Sequence, residues 1–199
     1  MGTNLQHIER GTLTPMQKRA FLIHGWDGRS DNHWFPYLKW ELVANGFEVY
    51  APQMPHAAEP KLAEWLTFLR EYVGKPDSDT YFVGHSLGCI TVARYLSLLP
   101  LKARVGGCVF VAGFSGRLNI PEIREFYEAP FDAKKAKAHC EKFTMIFSDN
   151  DRYVPMERSL EFARELGAKT IMEKGKDHFS DGLASLPSAL QALLKIAGA

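Results

Sequence analysis

Cysteine is scarce in this chain: Cys89, Cys108 and Cys140 are the only three, and no CxxC or CxxH spacing occurs. An odd number without paired spacing indicates neither a disulfide framework nor a zinc site. Charge of one sign is missing too. Lys and Arg number 24 against 23 Asp and Glu, a formal net charge of +1, so the footprint of a nucleic-acid binder is absent. The longest apolar run, near Val105 to Phe114, is far too short to span a bilayer. Met1 to Arg10 shows no basic segment followed by an apolar stretch, and Gln6 stands where a myristoylation signal needs Ser or Thr. There is no internal repeat, low-complexity tract or linker. The expectation is a cytoplasmic protein with no nucleic acid, no membrane and no indicated protein partner.

What is present is ordinary for a globular chain. The 199 residues are 46% hydrophobic and 24% charged, enough to bury a full core and in the size range of a single α/β domain. One domain, 1–199, is expected. Short apolar runs alternate with amphipathic stretches. Strands are expected at Arg19–Ile23, Phe47–Ala51, Thr80–Val83, Val105–Ala112, Thr144–Ser148 and Lys169–Met172. Helices are expected at Phe35–Asn45, near Pro60 to Val73, and at Leu87–Leu99, Pro155–Leu166 and Leu186–Ile196. In the first helix Phe35, Leu38, Leu42 and Val43 share the expected buried side. Gly46 and Gly167 read as helix stops. Alternating strands and helices imply a three-layer α/β/α sandwich around a mostly parallel sheet. Gly113 to Phe143 fits the alternation poorly. It carries Pro121, Pro130, the aromatics Phe126, Tyr127 and Phe131, and a run of lysines.

In open parallel sheets, ligands bind at the carboxyl ends of the strands. Gly84-His85-Ser86-Leu87-Gly88 follows an expected strand and opens an expected helix, the G-x-S-x-G pattern of a nucleophile elbow. A turn that sharp strains the serine backbone, and side chains two residues either side would clash. It lifts Ser86 Oγ off the sheet and leaves the Leu87 N–H at a helix N-terminus, suited to an oxyanion.

A serine hydroxyl needs a base, and the base needs an orienting acid. In this fold class their chain order is Ser, acid, His. His178, in the loop Gly175 to Phe179 after a strand, is the candidate base. The acid should follow Thr144–Ser148, where Asp149 and Asp151 both qualify. Asp151 is preferred because D-x-x-V-P leads directly into the next helix, and Asp149 reads as a turn former. The second oxyanion donor is placed at the Trp26 N–H, since Gly25 lets the backbone come close. His24 reads as a structural loop histidine. A metal reading of His24, Asp27, Asp31 and His33, or of Asp149, Asp151, Asp177 and His178, lacks any recognised ligand spacing. No cofactor is expected.

These residues resemble the α/β-hydrolase superfamily, and within it the small retinoblastoma-binding-protein-9-like serine hydrolases. The resemblance runs from about Arg19 onward through His24-Gly25, Gly28, His33-Trp34-Phe35-Pro36, the elbow, Asp151 to Pro155 and His178-Phe179. Its more specific part is His33 to Leu38 followed by Pro52-Gln53-Met54-Pro55. It implies a compact hydrolase without a large cap domain, with Ser86, Asp151 and His178 as a triad acting on a carboxylic ester or related small acyl substrate. The L-x-C-x-E motif behind the family name is not carried over, because Leu87-Gly88-Cys89-Ile90-Thr91 lacks the glutamate. Phe126, Tyr127, Phe131 and Tyr153 are expected to form a partly apolar substrate pocket. A non-catalytic interaction module on the same scaffold, or a lyase or perhydrolase, are the alternatives.

Overall fold

Six strands form one parallel sheet in a computed structural model that describes residues 17–129 and 131–199. Met1 to Arg10, Gln6, His7 and Pro130 lie outside the described residues. In chain order the elements are β1 (Arg19–Ile23), α1 (Phe35–Ala44), β2 (Glu48–Tyr50), α2 (Leu62–Val73), β3 (Thr80–His85), α3 (Leu87–Ser97) and β4 (Gly107–Val111). A 3-10 turn (Pro121–Ile123) leads into α4 (Arg124–Glu128) and α5 (Ala133–His139). Then come β5 (Phe143–Ser148), α6 (Met156–Leu166), β6 (Lys169–Glu173) and α7 (Pro187–Ala197).

The sheet order is β2-β1-β3-β4-β5-β6, and every pair is parallel. The chain therefore reverses its direction of travel across the sheet between β1 and β3. At their carboxyl ends Ile23 lies opposite Gly84, which opens a crevice just beyond them. The central strands β3, β4 and β5 are buried along their whole length, as continuous apolar runs in a two-face-covered sheet should be.

Two apolar layers flank the sheet. One packs Trp65 and Leu69 of α2, Ile90 of α3 and Phe162 and Leu166 of α6 against Phe21, Phe82 and Phe110. The other packs Leu38 and Leu42 of α1 and Ala189 and Leu193 of α7 against Leu22, Val83 and Val109. Val43 departs from expectation: it is 54% exposed. Residues one apart sit about 100° apart on a helix, so Leu42 takes the core and Val43 is turned past its edge.

The interval Gly113 to Phe143, which had no assigned structure, folds as the 3-10 turn and two short helices. Asp132 caps α5 by accepting from the N–H groups of Lys134 and Lys135. All three cysteines are free and buried. Among the described residues no helix is long and apolar enough to cross a membrane.

Candidate active site

The elbow is built where β3 meets α3. Ser86 has φ 52° and ψ −117°, a left-handed backbone that costs a non-glycine residue on the order of 1–3 kcal/mol. Its N–H donates to Val111 O (2.8 Å), tying the strained residue to the end of β4. The two glycines are required by space. A Cβ on Gly84 would sit 2.9 Å from the backbone of Cys89, and one on Gly88 only 2.2 Å from Ile23 O. Gly88 thus lets the first turn of α3 lie directly on β1. Gly25 is equally confined, since a Cβ there would meet Ser86 Cβ at 2.9 Å.

The histidine and the acid come from two loops stitched together. His178 Nδ1 lies 2.8 Å from Asp151 Oδ2. A carboxylate only accepts, so Nδ1 carries the proton and Nε2 is left with its lone pair. The other Asp151 oxygen accepts from the N–H groups of Tyr153 and Val154, both at 2.8 Å. Three side chains at the end of β5 and just beyond it hold the backbone before His178. Gly175 N–H donates to Asp149 Oδ1 (2.8 Å), Lys176 N–H to Ser148 Oγ (3.0 Å) and Asp177 N–H to Asn150 Oδ1 (2.9 Å). Arg152 pairs with Asp177 in return and holds its carboxyl below the usual range. Asp149, read as a turn former, therefore serves as a bridge to the histidine loop.

Two residues to which the sequence reading gave no role in steadying His178 complete the frame. His85 is buried, and its Nε2–H donates to the His178 carbonyl (2.8 Å). Burial, aided by the nearby His178 ring, pushes its pKa down to about 3, so it remains neutral. Trp34 Nε1–H donates to Phe179 O (2.9 Å) and packs edge-on against His85. A histidine between the strand and Ser86, and the tryptophan of His33-Trp34-Phe35-Pro36, were the available signals.

The depressed His85 pKa has a consequence for stability. In the unfolded chain this group titrates near 6.5, in the fold near 3. Its contribution is complete above pH 6.5 and is lost as pH falls toward 3, at about 1.4 kcal/mol per pH unit. His85→Gln keeps a donor and removes the titration. Urea unfolding at pH 7 and pH 5 should show the wild type losing more stability than the variant over that interval. Parallel pH dependences would contradict the assignment.

A cavity of about 320 Å³ opens at this corner, lined by Ser86, His178, Gly25, Trp26, Tyr153 and the apolar Leu118, Ile120 and Ile123 among others. Among the described residues, neither the Trp26 nor the Leu87 N–H has a protein acceptor. His24 takes the Met54 N–H on Nε2 (2.9 Å), so its Nδ1–H donates to Gly25 O (2.8 Å). It is a structural clamp on the Gly25 turn, held neutral by burial. Tyr153 stands 46% exposed, edge-on to His178 with ring centres 5.1 Å apart.

The other expected pocket residues are placed elsewhere. Phe126 is fully buried against Trp65, and Phe131 packs on Phe162 and under the Arg94 guanidinium. Tyr127 spends its hydroxyl on Ile120 O (3.1 Å). None of the three lines the cavity. Ile123 does, although its side chain is largely buried, so the insert reaches the site through aliphatic side chains. Among the described residues no group of three His, Cys, Asp or Glu is arranged to hold a metal ion.

A six-stranded parallel sheet with this elbow at the end of β3 is the α/β-hydrolase fold. The chain belongs to the Serine hydrolase family, whose family model matches residues 20–195. It is similar to YdeN of Bacillus subtilis (strain 168), with 34% identity over 181 residues, 89% of this chain and 95% of that protein. The crystal structure of the ydeN gene product superposes with a TM-score of 0.86 over 92% of this chain and 100% of that one. Est1E from Butyrivibrio proteoclasticus shares the fold at 18% identity, with a TM-score of 0.72 over 92% of this chain and 89% of Est1E.

Proposed function

We propose that this protein is a serine hydrolase that cleaves a small carboxylic ester, or a related acyl compound, through an acyl-enzyme. The observation that carries the reading is the 2.8 Å pairing of His178 with Asp151 on the same cavity as a serine held at positive φ. In this mechanism Ser86 Oγ attacks the acyl carbonyl while His178 Nε2 takes its proton. The Leu87 and Trp26 N–H groups receive the oxyanion. His178 returns the proton to the leaving oxygen as the C–O bond breaks. Water then repeats the sequence at the acyl-serine, giving the acid and restoring Ser86. Asp151 holds the imidazole in the Nδ1–H tautomer throughout.

The apolar wall of Leu118, Ile120 and Ile123 suits the acyl or alcohol portion of a small ester, and no cofactor enters the scheme. The narrower membership, in the retinoblastoma-binding-protein-9-like group, is supported by what its more specific residues do here. Trp34 and Met54 fasten the His178 and Gly25 turns through hydrogen bonds. One sheet between two apolar layers supports reading the chain as one domain.

A fluorophosphonate probe with intact-mass detection tests the reading. A single adduct on the wild type, absent from Ser86→Ala, is the expected result. An adduct on neither protein, or on both, would defeat it.

A further inference from the structure

A second cavity, larger than the one at Ser86, lies at the opposite end of the sheet. It has a volume of about 1140 Å³ and sits between the C-terminal ends of α2 and α3 and the turn that precedes β3. Helix α3 spans the molecule between the two sites: its first residue follows Ser86, and its last turn, about 16 Å away, borders this groove. The groove shares no lining residue with the active-site cavity.

Its chemistry is two-sided. The apolar part comes from Leu66, Leu98, Leu99 and the ring of Tyr95. Leu98 is 67% exposed and Leu101, next in the same loop, 89%, an unusual display for large aliphatic side chains so close together. The charged part comes from Arg70, Lys75, Lys102 and Arg104. None of these four has a carboxylate partner among the described residues. Among the described residues Asp77 is the single acidic side chain in the lining, and it is already engaged. Its Oδ1 accepts from Thr80 Oγ (2.8 Å) and the Asp79 N–H (3.1 Å), and its Oδ2 faces Arg19 at 3.8 Å. The Tyr95 hydroxyl is buried with no hydrogen-bond partner among the described residues, which leaves an unused donor in the wall.

We infer that this groove binds a single-chain anionic amphiphile, a fatty-acid carboxylate whose chain lies on the leucines and whose head meets the four cations. A neutral lipid would leave the cations unused, and a compact polyanion would gain nothing from the apolar floor. Charge reads against a cationic ligand, and concavity favours one chain over a flat surface. The inference does not rest on the proposed hydrolysis.

Dodecanoate, kept below its micelle concentration, is the probe. Titration calorimetry on the full chain is expected to give saturable one-to-one binding. Amide chemical shifts should move at Leu66, Tyr95 and Leu98 to Arg104. The surface double variant Arg70→Glu/Lys102→Glu should bind roughly tenfold more weakly, the scale of losing and reversing exposed ion pairs. Dodecyltrimethylammonium should not compete. Shifts confined to the Ser86 cavity, undiminished binding by the double variant, or equal competition by the cationic amphiphile would each overturn the inference. So would binding to phosphatidylglycerol vesicles without any binding of monomeric dodecanoate, which would assign the face to a membrane instead.

Discussion

Ser86→Ala is expected to lower kcat on a small aryl ester by about a million-fold, and Asp151→Asn by about ten-thousand-fold, with KM little changed in both. The two numbers differ for a physical reason. Without Ser86 there is no nucleophile, and only the oxyanion donors and substrate binding remain. With Asn at 151 every group is present, but an amide can offer its N–H to the imidazole, which favours the tautomer protonated on Nε2. That nitrogen can no longer accept the Ser86 proton. The fold should tolerate the change, because an Asn oxygen can still accept from the Tyr153 and Val154 N–H groups that Asp151 receives now. Steady-state kinetics with matched thermal melts decide the matter. An Asp151→Asn variant within tenfold of wild type would remove Asp151 from the mechanism.

Gly88→Ala is expected to destabilise the fold by about 3 kcal/mol or more, a fall in Tm of roughly 6–12 °C for a chain of this size. The added methyl would lie 2.2 Å from Ile23 O, 2.8 Å from His24 O and 2.9 Å from Ile23 C. All three are backbone atoms of β1 and the turn after it, so no side chain can swing aside. Either α3 lifts from the sheet or β1 shifts, and both routes move the Leu87 and Trp26 N–H groups apart. Calorimetric melting of the variant measures the cost, and an unchanged Tm would mean the helix has slack that the packing does not show. Activity should fall more than stability predicts, because the site spans the displaced contact.

Gly84 and Gly88 show how far local sequence reaches. Both glycines of the elbow could be marked from the motif, but only Gly84 answers to a neighbour in the chain, Cys89, whereas Gly88 answers to Ile23 O of β1, which the fold brings against it. The Ser86 backbone at φ 52° is the outcome. Val43 shows where such reading thins: the pattern Leu42-Val43 contains two apolar residues, and a helix edge has room for one. Phe126, Tyr127 and Phe131 show where it fails. Aromatic content marked the insert as apolar without saying which way it faces. Only the docking of α4 beside Trp65 sends Phe126 inward and leaves Ile123 at the cavity.

By itself the sequence determined the alternation of strands and helices, the elbow, and the candidates Asp151 and His178, because each depends on periodicity, glycine sterics or a turn within a few residues. Tertiary structure alone decided what steadies them. His85 holds the carbonyl of His178 across 93 residues of chain, and Trp34 holds Phe179 across 145. Asp149 became a bridge to Gly175 only once β5 and β6 paired in register. Hydrogen bonds between distant segments form when the sheet brings strand ends together, and a one-dimensional pattern carries no record of which loops will meet there.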